Sequence, residues 1–289
     1  MFTVDRNKLL IRGTQSLLYE GKNKDYPNHP VACRIYNAKS NIDPKDSMYL
    51  KFIRHLGKKH ACIVHTWELF ADEQNNIEIY QEYCLNGSLQ KYVENRKSPL
   101  EEKEASLYGW QLIRGLNFLG DIGIAHRDIQ PKNLVLREAT EFNQLKLTNF
   151  RKAIVYWSIE NNDVAFLPCW QEEQQPIDGI NYQAPEVYGD PNNEQFDPII
   201  ADTWSYGTVI YFMITQKYPY DPTIQSDNVQ KQIEDNVSKV KNLSKVGKEL
   251  LDNILNTNTT KRMPIGFIDK SVWFEKAKYV GIFLSYINC

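Results

Sequence analysis

The stretch from His126 to Arg151 constrains this chain more than any other. It reads His126-Arg127-Asp128-Ile129-Gln130-Pro131-Lys132-Asn133, then Leu134-Val135-Leu136, a polar turn, and Leu145-Lys146-Leu147-Thr148-Asn149-Phe150-Arg151. Two short apolar runs around a polar turn suit a pair of strands. Before them stand the consecutive ionisable side chains of His126, Arg127 and Asp128, with Asn133 five residues beyond Asp128. Loop residues held on such strands are where chemistry tends to sit.

At 289 residues, 42% hydrophobic and 24% charged, the chain has the composition of a globular domain with a substantial core. With 34 basic against 36 acidic residues and no long run of one sign, nothing argues for nucleic acid or acidic lipid as partner. Cys33, Cys62, Cys84, Cys169 and Cys289 are odd in number and scattered, which suits a reduced, cytoplasmic setting. The N-terminus lacks the apolar core of a signal peptide, and no apolar run reaches the ~18 residues of a membrane span. No repeat or low-complexity linker interrupts the chain, so 1–289 reads as a single domain.

His126-Arg127-Asp128 followed by Asn133 and the two strands resembles the catalytic loop of eukaryotic protein kinases. In register with it, Val31-Ala32-Cys33-Arg34, Ala184-Pro185-Glu186, Asp202-Thr203-Trp204-Ser205-Tyr206-Gly207 and Arg262 resemble further landmarks of that family, over nearly the whole chain. The resemblance implies an α+β, bilobal fold. A small antiparallel-sheet N-lobe with one helix would occupy about 1–84, a hinge about 82–88, and a larger helical C-lobe about 88–289. It also implies that Asp128 accepts or orients the proton of a substrate hydroxyl, and that Asn133 holds magnesium. Asp202 would brace the catalytic-loop backbone, and Arg262 would pair with Glu186. These last three are architecture, and their presence says nothing about activity.

The departures fall on the nucleotide side. The resemblance places ATP against Gly13, Leu18, Ala32, Arg34, Glu82, Cys84 and Val135, with hinge backbone meeting the adenine. Registered on Gly21, the family's glycine loop falls on Ile11, Gly13 and Ser16, so two of its three glycines are absent. Side chains there should keep phosphate from the backbone N–H groups. Arg34 stands in place of lysine, and its wide planar fork differs from a compact ammonium. Asn149-Phe150-Arg151 replaces Asp-Phe-Gly, so the second magnesium ligand is a neutral amide. Gln130 occupies the place of a phosphate-side lysine, for which Lys132 is a candidate substitute.

Other stretches read as scaffold. Asp43-Pro44 opens a helix whose apolar face is Met48, Phe52, Ile53 and Leu56. Tyr49 falls where the family keeps the glutamate partner of its lysine, with Asp46 as an alternative partner for Arg34. Ile77–Tyr83 alternates as a strand, and Pro198–Thr215 is an apolar helix. Ser98-Pro99-Leu100-Glu101 reads as a capping box before a long helix buried along Leu107, Trp110, Ile113, Leu116 and Leu119. Between Arg151 and Glu186 the only hydroxyl of serine or threonine type is Ser158. Glu172 and Glu173 either face Arg127 or are simply solvated. The apolar tail from Lys278 to Cys289 either docks on the domain or skims a membrane.

The sequence thus points to a pseudokinase: an impaired kinase-like module that binds other proteins, with ATP and magnesium weak or absent. The alternatives are a divergent serine/threonine kinase of low activity and a nucleotide sensor without turnover.

Overall fold

The computed structural model describes residues 1–13, 16–37, 56–74, 76–138, 143–158, 162–169, 179–188, 192, 194–222 and 228–278. The helix expected around Met48, Tyr49 and Asp46, the pair Glu172 and Glu173, and the tail beyond Lys278 lie outside them. The chain divides into two compact units, Met1–Gly87 with Val135–Arg151, and Ser88–Leu134 with Lys152–Cys289.

The first unit is built on a five-stranded antiparallel sheet of order β1-β2-β3-β5-β4. Its strands are β1 (Phe2–Arg12), β2 (Ser16–Asn23), β3 (Val31–Tyr36), β4 (Thr66–Ala71) and β5 (Ile77–Glu82). The period of two along β3 sorts its side chains. Val31, Cys33 and Ile35 join Tyr80 in a cluster flanked by Phe2, Val4, Tyr19 and Trp67. Ala32 and Arg34 point the other way, in register with Gln81 and Ile79 of β5. A second hairpin, β6 (Leu134–Arg137) with β7 (Gln144–Leu147), joins this unit through backbone bonds. Leu136 N donates to Gly87 O at 2.8 Å, and Leu147 N donates to Cys62 O at 2.7 Å.

The second unit is helical. Its elements are α1 (Leu89–Glu94), α2 (Glu102–Asp121), α3 (Pro198–Thr215), α4 (Val229–Ser238), α5 (Lys245–Ile254) and α6 (Ile265–Ile268). Asp197 caps α3 by accepting from Ile199 N and Ile200 N, and Pro198 takes the first helical position, where a missing N–H costs nothing. From Ala201 to Ile214 every residue of α3 is buried, as an apolar surface all round requires. Gly109 of α2 lets the two helices close up: a Cβ there would stand 2.7 Å from Ile210 Cδ1.

The start of α2 differs from the sequence reading. Its N-cap is Glu101, without a side-chain cap bond, and Ser98 lies a turn outside the helix. Pro99 disfavours helical backbone at Ser98, and Leu100 N donates to Met213 O at 2.9 Å, outside any helical ladder. The first turn is held from elsewhere. Glu102 accepts from Trp273 Nε1 at 2.7 Å and from both N and Oγ of Ser244, the cap of α5.

One ion pair ties the loop before α3 to the segment after α5. Arg262 donates from Nη1 and Nη2 to the two oxygens of Glu186, the second at 2.8 Å. Its remaining donors meet Ile200 O at 3.0 Å and Asn256 O at 2.9 Å, and its guanidinium lies over the Trp204 ring. Each of the three guanidinium nitrogens donates, so truncation strands both a carboxylate and two carbonyls. Arg262→Ala is expected to destabilise the fold by about 3–5 kcal/mol in denaturant unfolding. An unchanged melting curve would show that the pair is not structural.

Candidate active site

The loop His126–Asn133 runs from the two-residue strand Ile124–Ala125 to the 3-10 turn Pro131–Asn133. Its entrance is fixed by one carboxylate. Asp202 of α3 accepts from His126 N at 2.6 Å and from Arg127 N at 2.8 Å. Two successive N–H groups can aim at one acceptor because Arg127 takes φ +62°, a left-handed conformation that costs a non-glycine residue roughly 1–2 kcal/mol. The imidazole of His126 is fully buried, and its Nδ1 accepts from Asp128 N at 3.2 Å.

These bonds present the Asp128 carboxylate to a ring of donors. Oδ1 accepts from Gln130 Nε2 at 2.7 Å and from the ammonium of Lys152 at 3.1 Å. Oδ2 accepts from Asn133 Nδ2 at 2.8 Å, an amide that also reaches Asp128 O at 2.8 Å. Lys132, half-buried, lies in the turn between Pro131 and Asn133. An ammonium at Asp128 is that of Lys152, a residue that sequence reasoning passed over. Nothing marks it in the sequence except its place just after Asn149-Phe150-Arg151, where a lysine reads as solvated surface.

In the first unit, Gly13 makes the turn from β1 to β2: its N donates to Ser16 O at 2.9 Å, and a Cβ would stand 2.9 Å from that oxygen. Leu18 and Ala32 are buried, and Leu18 pairs with Arg34 across β2 and β3. Arg34 donates from Nη1 to Ser16 Oγ at 3.1 Å. It shares a recess of about 20 Å³ with Thr66, Gln81, Thr148, Asn149 and Phe150, room for roughly one water. Asn149 has φ +65°, a conformation that asparagine tolerates better than most residues. The Glu82 carboxylate is held in ion pairs, with Lys146 Nζ at 2.8 Å and Arg137 Nε at 3.3 Å, and its backbone N donates to His65 O at 2.8 Å. Cys84 is buried, which pushes its thiol up to about 12. Val135 is half-buried in β6. The described structure therefore gathers Arg34 with Asn149 in one unit. It gathers Asp128 with Asn133 in the other, beside Asp202. Gly13, Glu82, Cys84 and Val135 lie outside the Arg34 recess.

The family described as "Protein kinase domain" matches residues 5–274. The chain belongs to the protein kinase family. Its five-stranded antiparallel sheet and its helical second unit are the bilobal α+β fold of that family. It is similar to the serine/threonine-protein kinase hal4 of Schizosaccharomyces pombe, 29% identical over 227 residues, covering 74% of this chain and 33% of that protein. It is also similar to CBL-interacting serine/threonine-protein kinase 8 of Arabidopsis thaliana, 30% identical over 223 residues, covering 75% and 45% respectively. A probable serine/threonine-protein kinase of Zea mays, CCRP1, is 28% identical over 290 residues, covering 96% and 42%. The chain spans between 33% and 45% of the length of these three relatives. Among the described residues, no helix is long and apolar enough to cross a membrane.

Within this kinase fold Asp202 carries a measurable cost. Burial pushes its carboxyl up to about 7 from 3.8, against the pull of the two backbone N–H groups and of Arg127. Between those values the native state binds more protons than the unfolded state, so stability falls as pH rises from about 4 to about 7. Asp202→Asn is expected to flatten that slope in denaturant unfolding followed against pH, at some loss of overall stability. A variant with the parent's slope would move the titration to another group.

Proposed function

We propose that this kinase domain is a pseudokinase, impaired in phosphate transfer, that works as a binding, scaffold or regulatory module for other proteins in the cytoplasm. The observation that carries this reading is the Arg34 and Asn149 recess of the first unit. Magnesium wants charged oxygen ligands, and Asn149 brings only a neutral amide. Arg34 brings a planar fork directed at Ser16 Oγ. Loss of one preorganised charge partner commonly costs about two to three decades in rate, and Asn149, Gln130 and Arg34 together change three. Such losses do not add, yet the family works at only about 1–100 s⁻¹. The fit to magnesium and triphosphate is therefore poor. A protein partner agrees with the name of the CBL-interacting relative. The buried free thiols of Cys33, Cys84 and Cys169 agree with a reducing compartment.

A second reading, a serine/threonine kinase of low activity, is favoured by the arrangement around Asp128. A buried carboxylate held by Asn133 and flanked by an ammonium is what acceptance of a hydroxyl proton needs. The two readings part in one assay. The purified chain is expected to incorporate negligible phosphate from magnesium–ATP into itself or a general protein acceptor. Robust incorporation that disappears in Asp128→Asn would establish the second reading.

Nucleotide binding gives an independent check. ATP is expected to raise the melting temperature little, and equally with or without magnesium. Asn149→Asp is expected to make that shift magnesium-dependent, since aspartate also tolerates the left-handed backbone there. A large magnesium-dependent shift in the parent chain would contradict the proposed impairment.

A further inference from the structure

Position 130 of the catalytic loop carries an amide, yet the carboxylate beside it has a cation. We propose that Lys152 is a countercharge of this loop, a positioning residue that orients the Asp128 carboxylate in place of a lysine at position 130. This concerns the charge of the loop itself, so it goes beyond both functional readings and holds whether or not phosphate is transferred.

The need for a cation comes from burial. The Asp128 side chain is only 6% exposed, and a carboxylate so far out of water is stable only among donors and a countercharge. Gln130 cannot supply one. Its amide donates to Oδ1 at 2.7 Å and is packed in place, because Gly179 at φ +90° would bring any Cβ within 3.0 Å of it. The Lys152 ammonium reaches the same Oδ1 at 3.1 Å while its side chain stays 36% exposed. Charge thus approaches from the solvent side, where an ammonium retains part of its hydration. The lysine is also tethered to the loop by its own backbone: Arg127 Nη1 donates to Lys152 O at 3.4 Å. Residue 127 therefore links the segment that carries the cation to the loop that carries the anion.

Relocating the charge tests this in the full chain. Lys152→Met is expected to lower the melting midpoint at neutral pH by about 3 °C or more. Adding Gln130→Lys should restore the midpoint, because the ammonium returns to Oδ1 from the other side. Adding Asp128→Asn instead should also restore it, because no charge is left to balance, and Lys152→Arg should melt close to the parent. A lysine that merely packs would be rescued by neither second substitution. A Lys152→Met midpoint equal to the parent's, or a Gln130→Lys addition that restores nothing, overturns the proposal. Should Lys152→Met fail to fold, the double variant with Gln130→Lys decides, since it must fold if the proposal holds. Where phosphate transfer is measurable, it should fall in Lys152→Met and recover with Gln130→Lys. Faster transfer in Lys152→Met would mean that the ammonium obstructs Asp128, and would likewise overturn the proposal.

Discussion

The catalytic loop depends on one buried carboxylate. Asp202 lies inside α3, fully enclosed, and burial alone would drive it to protonate. It is satisfied by two backbone N–H groups that belong to the loop rather than to its own helix. To deliver both, the backbone at Arg127 must adopt a left-handed conformation, which the chain sustains because the alternative strands an acceptor in the core. The direction of the Asp128 carboxylate follows from that turn. Asp202 therefore acts on the site through geometry, and its replacement would disturb Asp128 without touching it.

Most of the strong polar contacts around the site are architectural in the same sense. Arg262 with Glu186 and Lys146 with Glu82 are charge-assisted pairs whose ions are largely removed from water. Pairs of this kind seldom add much stability over apolar packing, but removing one partner is costly, so they tend to specify arrangement. The kinase architecture can persist on such contacts when the residues that serve chemistry change. That separation explains how one chain retains Asp128, Asn133, Asp202 and Arg262 while Asn149, Gln130 and Arg34 differ from the pattern that the family resemblance implies.

Elements whose period or caps are written locally were legible in the sequence. The apolar helix Pro198–Thr215 has the bounds read for it, and the stretch read as a strand from Ile77 to Tyr83 is a strand from Ile77 to Glu82, though Glu78, Ile79 and Tyr80 are buried in succession. The start of α2 was not legible, because Leu100 is claimed by Met213 from a distant segment and a local capping pattern cannot register that competitor. Glu82 shows the same limit: its position fits the hinge, but its side chain answers to Lys146, 64 positions away in the numbering and adjacent only across the folded unit. Lys152 carries no pattern at all. Its role rests on a distance to Asp128 that no spacing rule encodes.

Asn149 shows how the requirements of form and of chemistry can differ at one position. The backbone at this position is left-handed, a conformation that asparagine and aspartate adopt with similar ease and most other side chains resist. Exchange between these two residues is therefore compatible with the backbone of the turn. What changes is one negative charge, and with it the attraction for a hard cation. A shape constraint selects the pair of residues, while only the electrostatic requirement distinguishes between them. A chain released from metal binding could drift between the two at little cost to folding, and position 149 is where such a change would be least visible in the fold.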